Sequence, residues 1–297
     1  MSIIDAHVHL YPPQANRDPA AWAAGMSEPH WAVMCARRRK NGQPVQAFPG
    51  VGELLREMDL AGVERAVLLG WYWNHAATCA VQNRFYAECV RAHPDRLSAF
   101  ATLNPAAGRE VTVGELRRAH ADGLAGLGEL SPHSQGYRVD DPVFRRVLEI
   151  ATELHWPVNL HVTDPKGAPY PGRVETPLAD FVRLAADFPG VNFILAHWGG
   201  LLPLAASPES IPGNIYYDTA ASPLLYDAEI WSRFQGRASL DRVIFGSDFP
   251  LNLYPRSDAA PAMKRFLDEA GQAGATAAVM GANAARLLGI PGVKGPV

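Results

Sequence analysis

The sequence predicts a closed eight-stranded α/β barrel, a (β/α)8 or TIM barrel, as a single domain over residues 1–297 with a long insertion at 11–49 after the first strand. Three observations carry this expectation. Short apolar runs alternate with helical stripes along the chain, a rhythm that calls for parallel strands covered on both faces. The first run is not followed by a Gly-x-Gly-x-x-Gly phosphate turn, which would favour an open doubly wound sheet, and the strand count suits a closed barrel. Histidines and carboxylates recur at the C-terminal ends of the runs, where such barrels place their functional groups.

The elements follow in order. Residues 3–10 form the first strand; alternation along it puts His7 and His9 on one face and Ala6, Val8 and Leu10 on the other. The polar and aromatic stretch 11–49 is too long for an ordinary connection and is expected to carry small elements or function of its own. Its run Arg37-Arg38-Arg39-Lys40 is either a solvated face or part of a lid whose arginines meet an acidic substrate. Val51, Leu54, Leu55, Met58 and Leu60 then make a helical stripe that stops at Ala61-Gly62. Strands are expected at 65–70, 97–103, 124–130, 157–162, 191–197, 215–219 and 242–248. Helices are expected at 80–92, 111–121, 143–154, 177–188, 229–234, 259–270 and 275–288, with a Gly/Pro tail beyond.

Composition narrows the classes of function. A net charge of −3 disfavours a nucleic-acid surface, which is normally basic. No stretch reaches the roughly 18 consecutive apolar residues of a membrane span. Cys35, Cys79 and Cys89 are odd in number and lack metal-site spacing, so no disulfide framework is implied. The chain enters an apolar strand at once without a basic leader, and a cytoplasmic location is the expectation.

The polar residues at strand ends form the candidate site. His7 and His9, Glu129, His161, His197, Asp218 and Asp248 fall near the ends of strands one, four, five, six, seven and eight. A single His there is commonly structural and a single Asp is commonly a helix cap. Their joint appearance at one end of a barrel points to a metal site. Trp71, Trp73 and Tyr226, which follow strands two and seven, are candidates for an aromatic substrate-binding mouth, with rim packing as the alternative.

Asp5-Ala-His-Val-His9, Gly128-Glu-Leu130, His161, Ala196-His-Trp-Gly-Gly200, Gly246-Ser-Asp-Phe-Pro250 and the closing Gly281-to-Leu288 segment resemble the amidohydrolase superfamily. More narrowly they are similar to its amidohydrolase 2 branch, and the likeness spans essentially the whole chain. That branch contains hydrolases, lactonases, decarboxylases and hydratases, so the likeness constrains fold more than reaction. It implies that His7, His9, His161 and Asp248 ligate one divalent metal, most often zinc, with His197 as a catalytic residue beside it. Glu129 is the candidate bridge to a second ion, or else a group beside the substrate. A homodimer is a habit of the family.

The first expectation is hydrolysis of an amide, ester or lactone bond of a small molecule by metal-activated water, with Asp248 as proton carrier and His197 as carbonyl polariser. The alternative is non-oxidative decarboxylation of an aromatic or unsaturated acid. The aromatic residues favour it, whereas Glu129 disfavours it by repelling an anionic substrate unless Arg37, Arg38 or Arg39 compensates. A barrel that only binds would lack some of the ligand set, and no gap is seen. A nuclease is disfavoured by the acidic balance.

Overall fold

The computed structural model describes residues 2–254 and 262–290. Its eight strands are β1 (Ile4–Val8), β2 (Arg65–Leu68), β3 (Leu97–Ala99), β4 (Leu127–Leu130), β5 (Val158–Leu160), β6 (Phe193–Leu195), β7 (Ile215–Asp218) and β8 (Val243–Ile244). Strands β1 to β3 pair in order in one sheet and β4 to β8 in another, all parallel. Backbone hydrogen bonds join the two sheets at both seams. On one, Ala101 N donates to Gly126 O at 2.8 Å and Gly128 N to Ala101 O at 2.9 Å. On the other, Ala6 N donates to Phe245 O and Asp248 N to His7 O, both at 2.9 Å. The sheet therefore closes on itself, as the alternating pattern predicts, and leaves no open strand edge.

The helices bury most of the stripe residues that predict them; Leu60, expected in the first stripe, is instead 70% exposed because it lies off the face that carries Leu54 and Met58. Leu54 and Met58 are buried in the helix Val51–Ala61, and Phe144, Val147, Leu148 and Ala151 in Pro142–Glu153. Phe181, Leu184 and Ala185 are buried in Leu178–Asp187. These spacings of three and four residues put each set on one helix face, against the outward side chains of the barrel. One helix starts earlier than predicted, at Ala76 instead of 80, and Thr78 and Cys79 of its first turn are buried. The predicted 259–270 helix spans Met263–Gln272, and residues 259–261 lie outside the described residues, as does the tail from 291. The predicted 275–288 helix is divided into a π-helical turn, Ala278–Ala282, and an α-helix, Asn283–Leu288. Among the described residues no helix is long and apolar enough to cross a membrane.

The strands are shorter than the apolar runs. The run 242–248 is ladder only at Val243–Ile244, since the chain beyond leaves regular pairing and Asp248 adopts φ 63°. Gly246 lies at this departure, where a Cβ would come within 2.6 Å of His7 Cβ. Glycine is what lets this backbone approach the first strand so closely.

The insertion is ordered. It holds three short helices, Pro13–Arg17, Pro19–Gly25 and Pro29–Cys35, each with proline in its first turn, where the missing N–H costs nothing. Tyr11, Trp31, Trp71, Tyr72 and Trp73 form a buried cluster with Trp22 and Phe48 packed against it. Glu28, within the insertion, is buried, and its carboxylate accepts from Asn74 N at 2.7 Å and His75 N at 3.1 Å. Residues 37–47 then run back along the loop after β8, with Asn252 N donating to Val45 O at 2.8 Å and Ala47 N to Pro250 O at 3.0 Å.

Candidate metal centre and active-site cavity

His7 and His9 share one face of β1, as alternation requires, but their rings converge. The Nε2 atoms are 3.1 Å apart. Each ring is held from behind: His7 Nδ1 lies 2.8 Å from Asp218 Oδ2, and His9 Nδ1 lies 2.9 Å from Leu69 O. Carbonyl and carboxylate acceptors fix the proton on Nδ1 and turn the Nε2 lone pair inward. Two buried Nε2 atoms facing each other at that distance must share a positive charge, a proton on His7 in the metal-free protein or a metal ion in its place. This donor chemistry fits a divalent metal, whose nitrogen ligands sit about 2.0–2.1 Å from the ion.

Two groups of donors meet at Glu129. His7, His9 and Glu129 form one, and Glu129, His161 and His197 the other. Glu129 Oε2 is 3.6 Å from His9 Nε2 and 3.9 Å from His7 Nε2. Its Oε1 is 2.9 Å from His161 Nδ1 and 3.7 Å from His197 Nε2. His161 thus lies with His197, whose Nε2 is 3.3 Å from its Nδ1, and not in the group of His7 and His9. Asp248 stands between the groups, with Oδ1 3.4 Å from His9 Nε2 and Oδ2 3.8 Å from His197 Nδ1. Both His197, at φ 57°, and Asp248 adopt the left-handed backbone conformation, unusual for non-glycine residues and frequent where side chains are aimed at a site.

Burial and charge separate the proton affinities of these groups. For His7, burial works against protonation, but the Asp218 carboxylate prevails, with Asp248 and Glu129 adding, and pushes it up to about 10. Burial and the neighbouring His7 charge lower His9 to about 4; burial and His161 do the same to His197. Burial would raise Glu129, yet His161, His7 and His9 hold it well below the usual carboxylate range. Asp248 is pushed up to about 7, chiefly by burial, with His7 opposing and Glu129 and Asp218 reinforcing.

These groups line one end of a cavity of about 330 Å³. Trp71 and Tyr226 line it too. Trp73 does not: it is fully buried in the aromatic cluster beneath the insertion, with Trp22 and Trp31 against it. The cavity position belongs to Tyr72, whose ring stacks on Trp71 at 4.2 Å and lies 5.0 Å from the His161 ring. Tyr226 also donates to Asp164 Oδ2 at 3.1 Å, linking the loops after β5 and β7. The alternation that places strand residues stops at Leu68, so which of three successive aromatics faces the cavity depends on the loop.

Sequence reasoning assigns Asp218 no role beyond its position at a strand end. In the structure it is fully buried and accepts from Asn159 Nδ2 through Oδ2, and from His197 N and Ala220 N through Oδ1, each at 3.0 Å, besides facing His7. Asp5, on the same face of β1 as the two histidines, accepts from Ser247 N at 2.9 Å and ties β1 to the loop bearing Asp248. Both signals are carboxylates at barrel positions, legible as polar residues in apolar runs. Arg37 reaches the cavity, while its neighbours Arg38 and Lys40 are exposed.

Comparison with known proteins agrees with this architecture. Among solved structures, the chain is similar to 5-carboxyvanillate decarboxylase from Sphingomonas paucimobilis, with TM-score 0.74 and 18% identity over 97% of this chain and 99% of that one. It is similar to 2,6-dihydroxybenzoate decarboxylase from Rhizobium, with TM-score 0.71 and 17% identity over 98% and 100% of the two chains. It also resembles a probable 2-pyrone-4,6-dicarboxylic acid hydrolase from Acinetobacter baumannii, with TM-score 0.64 and 16% identity over 98% and 100%. No curated protein matches by sequence. At these identities the likenesses establish the shared fold. The amidohydrolase family profile matches residues 4–290, nearly the whole chain and every strand of the barrel. This chain therefore belongs to the amidohydrolase family.

Proposed function

We propose that the protein is a metal-dependent hydrolase cleaving an amide, ester or lactone bond of a small organic substrate. The observation that carries this reading is the pair of donor groups sharing Glu129. His7, His9, Asp248 and one Glu129 oxygen would hold one divalent ion; the other oxygen, with His161 and His197, would hold a second. Nitrogen and carboxylate donors suit zinc. A divalent ion bound there supplies a lowered water pKa and a Lewis acid for the scissile carbonyl.

The chain's own groups divide the remaining work. Asp248, pushed up to about 7 by burial, is suited to take the proton of the attacking water and deliver it to the leaving group. His197, 3.7 Å from Glu129 Oε1, holds an ion in this reading rather than polarising the carbonyl directly. Asp218 is a positioning residue, acting through His7 and the His197 backbone. Trp71 and Tyr72 offer a flat wall for an unsaturated or aromatic substrate. The free, buried thiols of Cys35, Cys79 and Cys89 support a reducing, cytoplasmic setting.

Decarboxylation of an aromatic acid is the second reading, favoured by that stacked wall and by the likeness to two aromatic-acid decarboxylases. Glu129 counts less against it than its charge suggests, because His161 engages that carboxylate at 2.9 Å. Zinc-loaded protein incubated with lactones, esters and aromatic acids separates the two. Acid release is the expected result, and CO2 without acid release overturns the hydrolase reading.

A further inference from the structure

Arg37 lines the same cavity as the candidate metal donors and has no acidic partner among the described residues. Its guanidinium carbon sits 4.2 Å above the centre of the Tyr170 ring, and one nitrogen, Nη1, donates weakly to Met34 Sδ at 4.0 Å, so the edge of the fork has no oxygen acceptor among the described residues. The group is half-buried, and burial lowers its pKa, with the Tyr170 and Tyr72 hydroxyls the opposing influences and no carboxylate among them. The cavity's carboxylates are occupied elsewhere. Glu129 faces His161, Asp248 faces His9, and Asp164 accepts from Tyr226 at 3.1 Å and from Lys166 N at 2.8 Å. A partly desolvated cation without an anion is unfavourable, and a ligand can supply the missing charge.

The mounting of Arg37 is rigid. Its carbonyl accepts from Val45 N at 3.0 Å, and the Val45 carbonyl accepts from Asn252 N at 2.8 Å, on the loop that follows Asp248. Tyr170 belongs to the loop after β5, where Thr163 N donates to Thr176 Oγ1 at 2.7 Å. The clasp thus joins the insertion to the loop after His161 and fixes the separation between the guanidinium and the candidate metal donors. Arg173 also lines the cavity but donates to Asp164 O at 3.1 Å, with Glu175 3.6 Å from its guanidinium; it contributes positive potential more than a free fork.

We infer that Arg37 recognises an anionic group, such as a carboxylate, that the substrate carries away from its reacting end. This rests on the reading of the cavity as the substrate site and deepens it: the preferred substrates bear a second, non-reacting acid. A neutral ester or amide of the same skeleton would leave the Arg37 fork unpaired.

Full-length zinc-loaded protein titrated calorimetrically with isophthalate, benzoate and benzamide tests this. Isophthalate is expected to bind roughly tenfold to a hundredfold more tightly than benzoate. Arg37→Met should abolish that preference at unchanged zinc content, and Arg37→Lys, with charge but no planar fork, should keep an intermediate one. Absence of the preference in the native protein, or its survival in Arg37→Met, overturns the inference. Repeating the titration after chelation distinguishes the two levels of the argument. An Arg37-dependent preference with benzoate binding indifferent to metal would support the role of Arg37 while removing the metal-centred reading.

Discussion

His7 Nδ1 and Asp218 Oδ2 meet at 2.8 Å across 211 residues of chain, both fully buried. This contact couples the end of β7 to the first strand and sets which nitrogen of His7 points into the site. The other Asp218 oxygen accepts from the His197 backbone, so one carboxylate orients members of both donor groups.

Asp218→Asn tests that coupling. The amide oxygen can still accept from His197 N and Ala220 N, which preserves the fold. It cannot match a carboxylate behind the imidazole, and loss of such a partner typically weakens metal binding about 10- to 100-fold. Zinc affinity measured by chelator competition should fall by that range with little change in circular dichroism. An unchanged affinity would show that His7 is oriented without Asp218.

Metal uptake should depend on pH with a definite sign. Burial opposes a proton on His7, but Asp218 prevails and holds its pKa near about 10 in the metal-free protein, so the ring enters the neutral range protonated. A metal must displace that proton, and apparent affinity should rise with pH by about tenfold per unit between 7 and 9. His9 and His197, lowered by burial to about 4, are already neutral and add nothing there. Below about 7 the slope should steepen as Asp248 also gains a proton. Chelator competition from pH 6 to pH 9 reads this directly; a flat profile would contradict a protonated His7.

Glu28 should anchor the insertion. Its two oxygens accept from the backbone of Asn74 and His75, at the start of the helix Ala76–Ala92. Glu28→Gln replaces one acceptor with a donor facing an N–H, a buried mismatch costing about 1–3 kcal/mol. Thermal denaturation should shift downward, and hydrogen exchange should quicken at residues 74 and 75 and across the insertion helices. Protection equal to the native protein would assign the anchoring to the aromatic cluster alone.

Much of the architecture is legible in local pattern. Apolar runs and helical stripes are short-range signals, and they place all eight strands and the helices that bury Leu54, Phe144 and Phe181. The bounds are less legible because pairing decides them: 242–248 reads as a continuous strand, yet the chain leaves the ladder after Ile244 to present Asp248. Small elements are expected in the insertion, but the bounds of its three proline-started helices are not legible, since they are too short to show a period.

The site divides in the same way. The sequence by itself determined the donor types and the end of the barrel they occupy, because side-chain alternation on β1 and position along each strand are local properties. Only the tertiary structure decided that the donors form two groups at Glu129, that Asp218 stands behind His7, that Tyr72 and not Trp73 faces the cavity, and that Arg37 turns inward from its basic run. Each of these depends on distances between residues far apart in the chain or on loop conformation. Barrel closure and loop packing set such distances; residue spacing does not encode them.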